Sequence, residues 1–195
     1  QISAARYANP LTMLPGNVPI YEHIDRLLHS QIQFCACYCD LDHFKPFNDV
    51  YGYRKGDDII QLTAKILSEI CDPELDFVGH IGGDDFVCLF QSADWEDRCR
   101  LVFARFAEAI PILFKAKHVV DGGYLSENRQ GQKIFHPLVS LSIGAVVIEP
   151  GIFSSHQAIS TLTTDAKKQA KNLPGNSLFI ERRNLKGEFR NEVQF

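Results

Sequence analysis

The chain has 195 residues, 45% hydrophobic and 23% charged, with 20 Lys and Arg against 24 Asp and Glu for a formal net charge of −4. Such a composition excludes a disordered chain, and the acidic balance argues against a protein that coats nucleic acid. No apolar run approaches the ~18 residues needed to span a bilayer, and the length points to one domain with loosely held ends. The start at Gln1 rather than Met points to a piece cut from a longer protein.

Residues 1–17, closing on Asn9-Pro-Leu-Thr-Met-Leu-Pro-Gly-Asn17, read as a helix tail followed by a turn-rich lead-in. A helix is predicted from about Pro19, because Ile20, Ile24, Leu27 and Leu28 repeat with helical spacing. A strand ending at Asp40 follows, in which Cys35, Cys37 and Cys39 alternate and share one face. With no CxxC pair among the six cysteines, buried free thiols in a reducing cytoplasm are the expectation. Beyond Asp40 the pattern reads as a loop with Gly52 and Gly56, then a helix through Ile59, Leu62, Ile66 and Ile70. Val78–Ile81 and Phe86–Phe90 flank Gly82-Gly83-Asp84-Asp85 as a β-hairpin would. A helix over about Trp95–Ile110 stops at Pro111, and the Gly-rich 119–137 segment reads as a protruding hairpin flap. A long strand over Leu138–Glu149, a helix over His156–Lys171 and a strand over Ser177–Glu181 complete a domain set at 18–183, with a tail at 184–195. Helices alternate with strands, but the central hairpin forces antiparallel pairing. The fold class is therefore α+β, a mixed and mainly antiparallel central sheet with helices packed on it.

Four constellations carry chemistry. Asp40 and Asp42 end an apolar strand, where a carboxylate is costly unless it is solvated or cation-bound; the two are expected to diverge, so that only one of them serves a given site. Asp84 and Asp85 set two like charges side by side at a tight turn, an arrangement that a hard cation such as Mg²⁺ offsets through oxygen ligands. Two acidic strand ends in one sheet suit a metal-bound nucleoside triphosphate and nucleotidyl transfer. Asp57 and Asp58 sit where they could cap a helix, or, with Asn48, read the donor and acceptor edge of a purine. Lys167, Lys168 and Lys171 close a helix, either as a solvated face or with one of them gripping distal phosphates.

These motifs, in this order, resemble the GGDEF domain of diguanylate cyclases. The likeness runs through Leu11–Pro15, Asp-x-Asp-x-Phe-Lys-x-x-Asn-Asp (Asp40–Asp49), Tyr51–Asp57, Gly-Gly-Asp-Asp-Phe (Gly82–Phe86), Ser-x-Gly (Ser142–Gly144) and Ala170-Lys171. The wording is also similar to that of GGDEF domains at the C-terminus of proteins carrying EAL and CBS domains. The resemblance implies a ferredoxin-like palm sheet of the nucleotidyl cyclase kind, and a cytoplasmic enzyme condensing two GTP into cyclic di-GMP and two pyrophosphates. It implies Mg²⁺ (or Mn²⁺) on Asp40, Asp84 and the Leu41 carbonyl, and guanine recognition by Asn48 and Asp57. It further implies Phe44 and Lys45 beside the phosphates, catalytic roles for Asp84, Asp85 and Lys171, and a homodimer for turnover. No nucleic acid and no membrane segment enter this picture. Departures accompany the likeness: Asp85 where Glu is usual, His80 and Gly175 where Arg is usual, and Pro73-Glu-Leu-Asp76 in place of the Arg-x-x-Asp product site. They thin the positive charge around the phosphates, so GTP binding is expected ahead of rapid turnover. The alternative expectation is a weak or inactive GTP-binding module that regulates an attached cyclic di-GMP phosphodiesterase.

Overall fold

In the computed structural model, which describes residues 7–182, a lead-in precedes helix α1 (Asn17–His29). The expected helix tail before residue 7 and the 184–195 tail lie outside the described residues. The Asn9 side-chain carbonyl accepts from the Leu11 and Thr12 amides, folding the lead-in into a turn. His80 N–H donates to the Pro15 carbonyl, fastening that turn to the sheet. Strand β1 (Phe34–Asp42) leads into two helices, α2 (Phe44–Tyr51) and α3 (Tyr53–Ile70). This corrects the expected loop. Pro46 lies in the first turn of α2, where its missing N–H costs nothing, and Gly52, at φ +86°, turns the chain between the helices.

The hairpin follows as β2 (Phe77–Gly82) and β3 (Asp85–Phe90), then α4 (Trp95–Ala109), a 3₁₀ turn (Ile110–Leu113) holding Pro111, and the short α5 (Ala116–Val120). Strands β4 (Gly123–Glu127) and β5 (Lys133–Pro137) make the expected flap, a two-stranded sheet of its own. It is anchored rather than loose: Tyr124 is buried against the rings of Tyr51, Phe114 and His118. Strand β6 (Ser140–Ile148), helix α6 (His156–Lys171) and strand β7 (Ser177–Glu181) complete the fold.

The main sheet has the order β2-β3-β1-β6-β7, antiparallel throughout except for the parallel β6–β7 pair. The alternation of β1 divides the core. Cys35, Cys37, Cys39 and Leu41 face one layer with Ile59, Leu67 and Phe106 from α3 and α4. Phe34, Ala36 and Tyr38 face the other, with Ile20 and Ile24 of α1 and Ile159 and Ala166 of α6. All six cysteines are free and buried, and all lie in the first layer, as small hydrophobic residues. No helix among the described residues is long and apolar enough to cross a membrane.

Candidate functional site

The even-numbered face of β1 continues past its apolar residues to Asp40 and Asp42. The expectation that these two diverge is wrong: β1 runs through Asp42, and residues two apart on a strand share a face. Both carboxylates consequently meet one lysine, Lys171, whose Nζ lies 3.2 Å from Asp40 Oδ2 and 3.1 Å from Asp42 Oδ1. Asp42 is buried, and strand register satisfies it. It pairs with Ser140 across β1–β6, and the Ser140 and Ser142 hydroxyls donate to it at 2.8 and 2.9 Å. Asp40 is flanked by Asp85 on β3 and Ser142 on β6.

The hairpin turn carries the other acids. Gly83 takes φ +53°, a left-handed conformation that glycine adopts without strain, and this places Asp84 at the tip. One carboxylate oxygen from each of Asp40, Asp84 and Asp85 lies within 4.8 Å of the others. Burial, and then the charge of Asp40 and a hydrogen bond between the two carboxyls, push Asp84 up to about 6. Three crowded hard-oxygen donors, one resisting ionisation because of its neighbours, fit a divalent cation. The turn is braced from behind by His80, which is buried and stacked on Phe86. Its Nε2 contacts the Gly83 carbonyl at 2.9 Å and its Nδ1 the Thr12 hydroxyl at 2.8 Å. A carbonyl can only accept, so the neutral ring carries its proton on Nε2 and Thr12 donates to Nδ1. His80 thus holds the turn to the lead-in.

Helix α6 supplies the cations. Ile159, Thr163, Lys167 and Lys171 recur every fourth residue, and the first two are buried against the sheet. Lys167 Nζ lies 2.9 Å from Asp85 Oδ1 and 3.4 Å from Asp40 Oδ2. Lys171 also donates to the Leu41 carbonyl at 3.2 Å. Lys168 points away to Asp165. Burial alone would lower Lys167; the hydrogen bond and charge of Asp85, and then Asp40, outweigh it and leave its pKa raised. Lys171 is raised in the same way, with the charges of Asp40 and Asp42 outweighing burial. Gly144 of β6 lets the helix come this close, since a Cβ there would stand 2.0 Å from the Lys167 backbone nitrogen.

The remaining expected residues lie on α2 and α3. Phe44 and Lys45 open α2, the first half-buried and the second exposed. Asn48 turns its side-chain oxygen toward Gly56 of α3, where a Cβ would stand 1.8 Å away. That oxygen is buried without a hydrogen-bond partner. Asp57 is exposed one residue further on. Neither Asp57 nor Asp58 caps α3, because the helix begins at Tyr53 and both fall in its second turn. Asp76 of the Pro73–Asp76 segment is occupied internally, accepting from Ser92, Gln91 and Asp72. Sequence reasoning names Asp42 and Lys167 as candidates without giving either a partner, and passes over Ser140 and Ser142 as site residues. Period-two alternation in the strands and the four-residue step back from Lys171 are the signals that could have found them.

A sequence model of the family described as "Diguanylate cyclase, GGDEF domain" matches residues 7–121. The chain is 29% identical over 147 residues to the probable diguanylate cyclase DgcT of Escherichia coli, covering 75% of this chain and 29% of that protein. It is 28% identical over 119 residues to the diguanylate cyclase DgcP of Pseudomonas aeruginosa, covering 56% of this chain and 17% of that one. It therefore spans less than a third of the length of either curated relative. Its fold is similar to the GGDEF domain of PA1120 (TpbB or YfiN) from Pseudomonas aeruginosa, with TM-score 0.67, 21% identity and 94% and 99% of the two chains covered. It is similar also to the coiled coil and GGDEF domain of DgcB from Caulobacter crescentus in complex with c-di-GMP, with TM-score 0.65, 21% identity and 93% and 88% covered.

Proposed function

The chain belongs to the diguanylate cyclase GGDEF-domain family, and from that premise we propose that it condenses two GTP into cyclic di-GMP in cytoplasmic signalling. The observation that carries the reading is the convergence of Asp40, Asp84 and Asp85 within 4.8 Å, beside Lys171. Asp40, Asp84 and the Leu41 carbonyl would hold Mg²⁺ or Mn²⁺, with Asp85 next to them. The metal would supply charge neutralisation at the α-phosphorus and orientation of the triphosphate. Lys171, freed of one carboxylate, reaches the distal phosphate; the α2 N-terminus, with Phe44 and Lys45, presents unpaired amides to the others. Asn48 and Asp57 take the guanine edge, the buried Asn48 oxygen meeting a donor that the protein itself does not provide. One such site holds one GTP, so turnover takes two copies of residues 18–183 face to face. EAL and CBS domains upstream belong to the same reading.

Incubating the protein at high concentration with GTP and Mg²⁺ should yield cyclic di-GMP, and Asp84→Asn should cut the rate by about 10³-fold or more. GTP binding without any product overturns the cyclase reading. It favours the second reading, a GTP-binding module that regulates an attached phosphodiesterase. One observation speaks for that alternative: Lys167 and Lys171 already engage Asp40 and Asp85.

A further inference from the structure

Lys167 stands apart from the other charged residues of α6. Its side chain is only 15% exposed, and it makes salt bridges to two of the three clustered carboxylates, Asp85 at 2.9 Å and Asp40 at 3.4 Å. Nothing in the proposed chemistry requires a cation there. Yet a half-buried ammonium is stable only when it is paired, and Gly144 delivers the Lys167 backbone to this point at contact distance. Without Lys167, Asp85 would lose its salt bridge, and Asp40 would keep, among the described residues, only the one to Lys171. Lys171 is in turn held by Asp42, which is buried and fixed by two serine hydroxyls.

We propose that Lys167 is a tethered counter-cation of the carboxylate cluster: it competes with the divalent metal for Asp40 and Asp85, and on metal–nucleotide binding it moves to the phosphates. This rests on the metal–nucleotide reading of the site. The same carboxylate oxygens cannot give their full charge to an ammonium and to a divalent ion at once, so metal entry releases the lysine. The lysine is then set one helical turn before Lys171, beside an incoming polyanion. The exchange lets the acids stay folded and paired while no ligand is bound. It also makes metal alone a weak ligand, and metal with a triphosphate a strong one.

The test is Mn²⁺ binding followed by electron paramagnetic resonance, on the whole protein, with Lys167→Met and Lys167→Gln. Both variants should bind Mn²⁺ alone about tenfold more tightly than the unaltered chain, as expected when a like charge beside the site is removed. Both should bind Mn²⁺ with a non-hydrolysable GTP analogue more weakly, so that the two effects have opposite signs. A lysine that served only packing would move neither in this crossed way. Mn²⁺ affinity that is unchanged or reduced in the folded variants overturns the proposal. The second variant, which keeps a polar side chain of similar length, serves if the first does not fold. Failure of the unaltered chain to bind the analogue would remove the cyclase reading, while the metal-only comparison would still decide the role of Lys167.

Discussion

The two halves of the candidate site are built on opposite principles. At the sheet end, most of the charge is matched internally, Asp42 by Ser140, Ser142 and Lys171, and Asp40 and Asp85 by Lys167, while Asp84 is left crowded by its neighbours. On the α2–α3 face, matching is left open: the Asn48 oxygen is buried and unpartnered, and Asp57 is exposed. To bind a cation, the first half must give up salt bridges it already makes. The second carries an orphan acceptor, worth about 1–3 kcal/mol, that a ligand donor would relieve. On the proposed reading, binding strength and base choice would therefore be separable properties of neighbouring elements.

A single kind of substitution, glycine to alanine, probes both halves. The largest effect is expected at Gly144, where the new Cβ would meet backbone atoms of Ala166 and Lys167 at 2.0–2.5 Å. Backbone cannot swing aside, so α6 must shift, and Gly144→Ala should cost about 2–3 kcal/mol in a urea melt. At Gly56 the clash is with the Asn48 side-chain oxygen at 1.8 Å, which can rotate away. Gly56→Ala should therefore change stability by no more than about 1 kcal/mol, helped by the helix propensity of alanine. Its preference for GTP over ATP should drop by about tenfold or more as Asn48 is displaced, read by competition binding. Were Gly56→Ala to destabilise the protein as much as Gly144→Ala, the two halves would be one rigid unit and the contrast would fail.

What is legible in the sequence follows the same division. Strands β1, β3 and β6 announce themselves as apolar runs bounded by turn residues, and helix α6 begins and ends at the expected residues, His156 and Lys171. The carboxylates stand out because an acid closing an apolar strand is costly to bury without a cation or water beside it. Helix α2 does not stand out: eight residues holding a proline and ending at Gly52 look like a turn, and only the packing of Phe47 against the core makes them helical. Lys167 looks like any other lysine on a helix face, because its partners come from β1 and β3, more than 80 residues away in the chain. Local pattern identifies a lysine, whereas tertiary register decides what it meets. His80 shows the same thing from the other side: in the sequence it reads as a depleted phosphate contact, but the structure buries it as a brace between Thr12 and Gly83.

The smallest effect concerns pH, and it separates that brace from the acid it supports. Burial lowers His80 from its usual 6.5, although the Gly83 carbonyl and the charge of Asp85 pull the other way. A depressed histidine contributes stability that is present above pH 6.5 and is lost as pH falls through the folded value. Asp84 is raised from 3.8 to about 6, so its contribution runs in the opposite direction. It is fully present below 3.8 and is lost as pH rises through about 6. Between these limits the two slopes oppose each other in the unaltered chain with the metal chelated. His80→Gln, which can still bridge Gly83 and Thr12, should lose less stability on acidification from pH 7 to 5 than the unaltered chain. Asp84→Asn should gain stability at pH 7, by about 1 kcal/mol once solvent screening of a partly exposed group is allowed for, and should lose more of it on acidification. Urea midpoints at the two pH values give both differences. If the two variants deviated from the unaltered chain in the same direction, the turn and its brace would titrate as one unit, and the separation of the brace from the acid it supports would fail.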